Sequence, residues 1–243
     1  MENTIIEVDS VEKSFRKLKA LGGISFEIER GVVTAILGPN ASGKTTLLKC
    51  ILGLMIADRG EIRINGSRIK DCAMYRRLIG YMPQVASFPD NVSPSALMAL
   101  IAHLRGRSPV SDELIELFDL GPVLARPVRE LSGGTKQKIS ALCALSFGAE
   151  ILILDEPTVG LDPVSSIHLK EKILHEKHKG TTVLLTSHVM TEVEELAANV
   201  VFLLDGKVRF KGPIKELQDV TGEARLERAV AKLMIERQKR VHA

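Results

Sequence analysis

A glycine-rich segment near the start of the chain has the residue types and spacing of a loop that binds phosphate. The segment reads Gly38, Pro39, Asn40, Ala41, Ser42, Gly43, Lys44, Thr45. It lies between an apolar run over residues 32–37, which predicts a buried strand, and a run over 45–54, which predicts a helix. Because the backbone N–H groups at a helix N-terminus carry positive potential, this context favours an anion site.

The residues of this loop predict binding of a nucleoside triphosphate with Mg²⁺. Gly38 and Gly43 let backbone N–H groups approach phosphate oxygens closely. Lys44 supplies a cation for the β- and γ-phosphates, the Thr45 hydroxyl can ligate Mg²⁺, and Thr46 can bond the α-phosphate. The structural alternative is a glycine turn between strand and helix with an exposed lysine.

Two adjacent carboxylates follow a second apolar run. Residues 151–154 predict a buried strand, and Asp155, Glu156 and Pro157 come directly after it. Carboxylates in this position are unfavourable unless they serve a cation or a proton. We therefore expect Asp155 to hold the water shell of the metal, and Glu156, the next residue in an extended chain, to point elsewhere and deprotonate an attacking water. The alternative is an acid pair that caps a helix.

A second glycine-rich segment lies past the middle of the chain. Ser132, Gly133 and Gly134 follow Leu131 and precede a predicted helix over residues 135–145. Their backbone donors at the positive end of that helix predict a second phosphate site. Short Ser-Gly-Gly runs also arise by chance, so the prediction depends on the presence of both glycine-rich segments.

In their order and spacing, these motifs resemble those of the nucleotide-binding subunits of ATP-binding-cassette (ABC) transporters, from about residue 5 to about residue 212. The resemblance implies ATP as the nucleotide and gives roles to four more residues. Gln84 would reach the metal and the attacking water, and His188 would contact the γ-phosphate. Phe15 would stack on adenine, and Asp162 would act across a dimer interface.

Each of these four residues also has a structural alternative. Gln84 could be an ordinary loop amide, and His188 could cap the end of a predicted strand. Phe15 could belong to the core. Asp162 precedes Pro163 and could simply cap the helix that starts there.

In the ABC family, the second phosphate site completes the ATP pocket of another subunit, so that two ATP molecules lie between two cassettes. This chain has one copy of each motif, and the resemblance therefore implies a homodimer, or a heterodimer with a related ATPase subunit, on ATP binding. It also implies an integral-membrane permease subunit as partner, which places the chain in the cytoplasm at the inner face of the cell membrane. The run over residues 155–163 resembles exporter-like systems.

Two other classes of function are open. A soluble ABC protein of DNA repair or of the ribosome usually has a long coiled-coil insertion or two cassettes, and this sequence has neither. A regulatory nucleotide-binding module without turnover is disfavoured by the four residues that the reaction needs, Lys44, Asp155, Glu156 and His188.

Two positions depart from the ABC pattern. Ala41 stands where glycine is common, which is a mild change if the residue keeps a negative φ. Thr135 replaces a frequent glutamine, and its side chain is too short for a contact that needs a long amide. We expect an altered rate or coupling and no loss of activity.

The chain as a whole predicts an α/β fold, with a P-loop NTPase core and a mostly parallel sheet. Alternating runs over residues 5–8, 25–28 and 61–64 predict a small antiparallel β subdomain. A helical pattern, with Ser93 and Ser111 opening helices, predicts an inserted α-helical subdomain. We expect one ABC ATPase domain over residues 1–243, with core segments 1–85 and 148–220, a helical subdomain over 86–147 and a basic amphipathic helix over 221–243.

Composition limits the remaining possibilities. The chain has 243 residues and is 45% hydrophobic, which is enough for one large domain. No apolar run approaches the roughly 20 residues that a membrane-spanning helix needs. The three cysteines, Cys50, Cys72 and Cys143, lack metal-ligand spacing and are typical of buried thiols in a reducing compartment.

The C-terminal segment concentrates basic charge. Its six basic and three acidic residues give residues 221–243 a net charge equal to the +3 of the whole chain. The predicted helix also has an apolar stripe, Leu226, Ala229, Val230, Leu233 and Met234. Such a stripe usually packs on its own domain, although lipid or nucleic acid is an alternative. With 4% aromatic residues and no Trp, we expect no nucleic-acid partner.

Overall fold

The computed structural model describes residues 3–16, 18–109 and 112–241. This part of the chain forms ten strands and eight α-helices. The strands are β1 (Thr4–Phe15), β2 (Leu18–Glu29), β3 (Val33–Leu37), β4 (Arg59–Ile64), β5 (Ser67–Arg68), β6 (Ile79–Met82), β7 (Ile151–Asp155), β8 (Thr182–Thr186), β9 (Asn199–Leu204) and β10 (Lys207–Pro213). The helices are α1 (Lys44–Ile51), α2 (Pro94–Arg105), α3 (Asp112–Leu117), α4 (Gly133–Leu145), α5 (Pro163–His178), α6 (Met190–Leu196), α7 (Ile214–Thr221) and α8 (Leu226–Val241).

The chain divides into two compact units. The first comprises Met1–Ala73 and Thr186–Ala243, and the second comprises Met74–Leu185. The predicted boundaries of core, helical subdomain and C-terminal helix stay a prediction. Helices α2, α3 and α4 all fall inside the predicted helical range, 86–147.

The first unit contains the predicted antiparallel sheet, in the order β2-β1-β4-β5. Strand β1 pairs antiparallel with both β2 and β4, and Val8 lies opposite Phe26 on one side and Ile62 on the other. These three side chains are buried, while alternate residues face outward. The period-two pattern seen in the sequence thus gives β2 one buried and one solvated face, whereas at the start of β1 the neighbouring Ile5 and Ile6 are both buried.

Strands β3 and β9 form a parallel pair in the same unit. Ile36 lies opposite Val201, and β10 runs antiparallel on the other side of β9. All five residues of β3 are buried, so this strand shows a continuous apolar run and no alternation. Helix α1 follows β3 through the glycine-rich loop. It ends at Ile51, earlier than the predicted Leu54, because the chain turns into a left-handed conformation at Gly53, with φ of 64°.

In the second unit, β8, β7 and β6 are neighbours in that order, and β6 pairs parallel with β7. Helix α4 packs very closely on β6. A Cβ on Gly80 would lie 2.2 Å from the carbonyl oxygen of Ala144, so only glycine fits there. The predicted start of α2 is confirmed, since Ser93 Oγ accepts a hydrogen bond from the Ala96 N–H at 3.3 Å. The other predicted helix start, Ser111, lies outside the described residues.

The apolar stripe of the C-terminal helix packs on its own unit. Leu226, Ala229 and Val230 are buried, and α8 contacts α6 and α7. The backbone N–H of Leu226 donates to Glu194 Oε1 at 2.7 Å. The side chains of Arg237, Lys239 and Arg240 lie outside the described part, as do residues 242 and 243 of the predicted helix.

The predicted fold class is confirmed, because parallel strand pairs, an antiparallel sheet and packed helices occur together. One smaller prediction was wrong. Cys72 is exposed, whereas Cys50 is buried as expected. Among the described helices, none is long and apolar enough to pass through a lipid bilayer.

Candidate functional site

The two glycines of the phosphate-type loop are held in tight backbone packing. Gly38 has φ of 151°, and a Cβ there would lie 2.2 Å from the carbonyl oxygen of Leu203 and 2.6 Å from Ser42 Oγ. Gly43 has φ of 107°, and its Cβ would lie 2.6 Å from the carbonyl oxygen of Ala20. Any side chain at either position would displace backbone, so the loop keeps its shape only with glycine.

The loop presents a cation and a buried hydroxyl. Lys44 is only 8% exposed, and its Nζ donates to the carbonyl oxygens of Gly38 at 2.6 Å and Pro39 at 3.1 Å. Ser42 Oγ is buried and has no hydrogen-bond partner among the described residues. Leaving a buried hydroxyl unsatisfied costs about 1–3 kcal/mol. A phosphate oxygen bound in the loop would satisfy it, so these residues fit a nucleotide.

Helix α1 begins without a capping side chain. Its N-cap residue is Gly43, which makes no side-chain hydrogen bond to the first turn. No side chain caps the backbone N–H groups of that turn, an arrangement typical of anion sites, and the Thr45 hydroxyl lies on the exposed side of the same turn.

Ala41 departs from its expected conformation. The sequence predicts a mild change if φ is negative, but the structure gives φ of 62°. The left-handed conformation is unfavourable for alanine by roughly 1–2 kcal/mol, because Cβ crowds the following carbonyl oxygen. The substitution of alanine for glycine therefore stores strain in the loop.

Asp155 is the last residue of β7 and is 5% exposed, and the neighbouring Glu156 is 3% exposed. The prediction that Glu156 continues an extended chain was wrong, because its φ is 51°. A left-handed conformation is rare for a residue with a side chain, and such strain concentrates at functional sites. Burial, and then the charge of Asp155, raises the pKa of the Tyr81 phenol on the adjacent strand.

Gln84 lies at the same sheet edge as the two carboxylates. It is exposed and comes two residues after the end of β6. In the parallel register of β6 and β7, Met82 is paired with Leu154, so the residues that follow both strands emerge at one edge. The second unit therefore brings Gln84, Asp155 and Glu156 to one edge, as ligand-binding residues of open α/β sheets commonly are.

The second glycine-rich segment opens α4, which begins at Gly133, two residues before the predicted start. Ser132 is the N-cap, and its Oγ accepts the Thr135 N–H at 3.1 Å and lies 2.8 Å from Thr135 Oγ1. Thr135 thus bonds locally. Ser132 and Gly133 are exposed at the helix start, which leaves their backbone accessible to an anion.

The capping alternative for Asp162 is what the structure shows. Its Oδ1 accepts the Ser165 N–H at 2.9 Å, and its Oδ2 accepts Ser165 Oγ at 2.7 Å and lies 2.9 Å from Lys138 Nζ. The hydrogen bonds from Ser165, and then that from Lys138, hold the pKa of the Asp162 carboxyl well below its usual range. A contact of Asp162 with another subunit stays a prediction.

Phe15 and His188 both lie on the surface of the first unit. Phe15 ends β1 and is 44% exposed, so its ring is open to a ligand, which disfavours the core alternative. Lys13 Nζ lies 5.9 Å from the ring centroid. His188 is exposed two residues after β8, in a turn closed by the Val189 N–H donating to Ser187 Oγ at 3.0 Å.

The predicted site residues divide between the units. Phe15, His188 and the loop over residues 38–46 belong to the first unit, and the remaining ones belong to the second. Sequence reasoning assigned no role to Lys138, because its partner Asp162 is distant in sequence and only tertiary packing brings the pair together.

Comparison with known proteins agrees with these features. Residues 21–159, more than half of the chain, match the model of the ABC transporter family. The daunorubicin resistance ATP-binding protein DrrA3 of Streptomyces coeruleorubidus is 34% identical over 233 residues, which cover 93% of this chain and 74% of that protein. The lantibiotic transport ATP-binding protein SrtF of Streptococcus pyogenes is 32% identical over 205 residues, which cover 84% of this chain and 89% of that protein.

A solved ATP-binding subunit of an ABC transporter has the same fold. It superposes with a TM-score of 0.91 at 30% identity and covers 95% of this chain and 100% of that chain. The family-model match over residues 21–159 includes the phosphate-type loop, the carboxylate pair and the second glycine-rich segment. The chain therefore belongs to the ABC transporter family, as an ATP-binding subunit with ATPase activity.

Proposed function

We propose that this chain binds two ATP molecules in a dimer with itself or a related ATPase subunit, and that hydrolysis powers a separate integral-membrane permease subunit. The observation that carries the proposal is the presence of two phosphate-type segments, one copy of each, in a single chain. They are the loop over residues 38–46 and the start of α4 at Ser132. A cassette that bound ATP as a monomer would need only the first of these two segments.

The first phosphate segment supports binding of the ATP triphosphate. Ser42 has an unsatisfied buried hydroxyl, and the backbone of Gly38 lies close to it. Lys44 Nζ already lies against the loop carbonyls and supplies the positive charge. Asn40, Ala41 and Thr46 complete the loop, and the exposed ring of Phe15 would stack on adenine.

The proposed reaction is attack of water on the γ-phosphate. Glu156 would orient this water and accept its proton. We assign Thr45, Asp155 and Gln84 to Mg²⁺, because their side chains offer the oxygen atoms that this ion prefers as ligands. The bound ion would neutralise part of the phosphate charge. His188 would contact the γ-phosphate.

The second phosphate segment supports the dimer. Ser132, Gly133 and Gly134 offer backbone donors at the positive end of α4, which has 13 residues. We assign these donors to the γ-phosphate of ATP bound by the other subunit. ATP would then hold two subunits together, and hydrolysis would release them.

The names of the relatives support an exporter-like system. DrrA3 is named for daunorubicin resistance and SrtF for lantibiotic transport. We infer that this chain lies in the cytoplasm and is held at the inner face of the cell membrane by its permease partner. Selection of cargo then belongs to that partner.

ATPase assays in lipid nanodiscs test the proposal. The turnover of the purified chain is measured alone and with a candidate membrane protein partner, and Lys44→Ala serves as the inactive control. Turnover that rises with the membrane protein supports a permease-coupled ATPase. Turnover that is indifferent to it supports a soluble ABC ATPase, and absence of turnover in both samples supports a regulatory module.

A further inference from the structure

An ion pair joins the middle of α4 to the start of α5 within the second unit. Lys138 Nζ lies 2.9 Å from Asp162 Oδ2. The side chain of Lys138 is 21% exposed and that of Asp162 is 51% exposed, so the pair is partly shielded from water. Lys138 is on the helix that Ser132 caps, and Asp162 ends the loop that starts at Glu156.

A backbone contact joins the same two segments. A Cβ on Gly134 would lie 3.0 Å from the carbonyl oxygen of Gly160, which leaves little room for a side chain. The start of α4 and the loop over residues 156–162 therefore pack directly on each other. Two contacts, one ionic and one steric, fix their relative position.

The loop over residues 156–162 is itself closed by hydrogen bonds. The Val159 N–H donates to the Glu156 carbonyl oxygen at 3.2 Å, and the Leu161 N–H donates to the Thr158 carbonyl oxygen at 3.1 Å. Displacement of Asp162 would therefore be transmitted along this loop to Glu156.

We propose that Lys138 is a positioning residue, whose ion pair with Asp162 fixes the Ser132–Gly134 phosphate segment relative to the Glu156 loop of the same subunit. The inference rests on the proposed function, since both segments act in the ATP dimer only if that function holds. It assigns Asp162 a partner inside its own subunit. In this role Lys138 contacts neither the nucleotide nor the water that attacks it.

Two effects of Asp162 can be separated by substitution. As the N-cap of α5, its side chain accepts the Ser165 N–H, and asparagine can do this equally well. As the partner of Lys138, it needs its negative charge. Asp162→Asn therefore keeps the cap and removes the ion pair, whereas Lys138→Met removes the pair from the other side and keeps the length of the side chain.

The test compares Lys138→Met, Asp162→Asn and the double variant, with Lys136→Met as matched control. Lys136 is on the same helix and forms no ion pair with a described residue. We expect kcat to fall about three- to tenfold in both single variants, with KM for ATP changed less than about twofold. The double variant should be no worse than either single one, because all three lack the same interaction. Lys138→Arg should restore kcat.

Dimerisation provides a readout that a general loss of stability would not move. In a Glu156→Gln background, the Mg-ATP concentration for half-maximal dimer, measured by light scattering, should rise about three- to tenfold with Lys138→Met and stay unchanged with Lys136→Met. Nucleotide affinity of the dilute monomer should be the same in all variants, which also shows that they are folded.

The outcomes distinguish this inference from the proposed function. If the wild-type chain neither turns over ATP nor dimerises in the Glu156→Gln form, the proposed function fails. If both occur and Lys138→Met behaves like Lys136→Met, the positioning role is wrong. A defect in Asp162→Asn with normal Lys138→Met also overturns it, and assigns Asp162 to a contact with the other subunit.

Discussion

Asp155 and Glu156 are adjacent in sequence but have different backbone conformations. Asp155 completes strand β7, whereas Glu156 turns into the left-handed region with φ of 51°. Both carboxylates are buried. This change of backbone conformation between two buried carboxylates fits the separate roles proposed for them, one with the metal and one with the attacking water.

Lys44→Ala should abolish measurable nucleotide binding. The substitution removes the cation beside the loop carbonyls, and with it the electrostatic stabilisation of the β- and γ-phosphates. Binding of a fluorescent ATP analogue is measured by titration. Lys49→Ala, on the same helix, should bind normally, and unchanged affinity in Lys44→Ala would refute the role of the loop.

Phe15→Ala should weaken ATP binding by roughly 1–3 kcal/mol, about 5- to 150-fold in Kd, by analogy with other aromatic stacking contacts. The ring is 44% exposed, so its removal leaves no cavity in the core. Phe15→Tyr keeps the ring and should bind normally. An unchanged Kd in Phe15→Ala would assign another residue to adenine.

Ala41→Gly should stabilise the protein by about 0.5–1 kcal/mol. Glycine relieves the left-handed strain of roughly 1–2 kcal/mol. Glycine also raises the conformational entropy of the unfolded chain, which lowers the free energy of unfolding by about 0.4–1 kcal/mol and offsets part of this stabilisation. Urea denaturation measures the difference. Ala99→Gly, at an exposed position in the interior of α2, is the control and should destabilise the protein by about 1 kcal/mol. Destabilisation by both changes would contradict the strain at Ala41.

Glu113→Gln should reduce stability at pH 7 and have a smaller effect at pH 3. The hydrogen bond from Lys172 Nζ, at 2.8 Å, lowers the pKa of Glu113. A carboxyl whose pKa is lower in the folded than in the unfolded state stabilises the fold at pH values above its unfolded pKa of about 4.3. This stabilisation is lost as the pH falls through the pKa of the folded state. We expect the loss of stability at pH 7 to be less than about 1 kcal/mol, because Glu113 is largely exposed. An equal difference in urea denaturation at both pH values would contradict the ion pair.

Local sequence patterns predicted the features that depend on neighbouring residues. The strand ending at Asp155, the capped start of α2 at Ser93 and the glycine-rich segments all follow from spacing along the chain. The fold class followed from the alternation of such elements. Phe15 and His188 were identified only through the family resemblance, since a single aromatic or histidine has no pattern of its own.

Tertiary packing determines what the sequence could not predict. The left-handed φ of Ala41 and Glu156 depends on how each loop is held at both ends. The buried position of Ser42 Oγ depends on Gly38 lying close to it. The ion pair of Lys138 joins residues from different helices, and no local spacing encodes such a contact.

Glu156→Gln tests the proposed ATP dimer most directly. The substitution keeps the size of the side chain and its ability to hold a water but removes the proton acceptor, so turnover should fall by about 10²-fold or more while ATP binding survives. Unhydrolysed ATP should then trap a dimer that the wild-type chain forms only transiently.

Light scattering with Mg-ATP measures the mass of this trapped species. We expect Glu156→Gln at twice the monomer mass of 26.6 kDa, and the further change Ser132→Arg should return it to the monomer by filling the second phosphate site. Normal hydrolysis by Glu156→Gln, or a monomer at high concentrations of protein and nucleotide, would contradict the proposed mechanism.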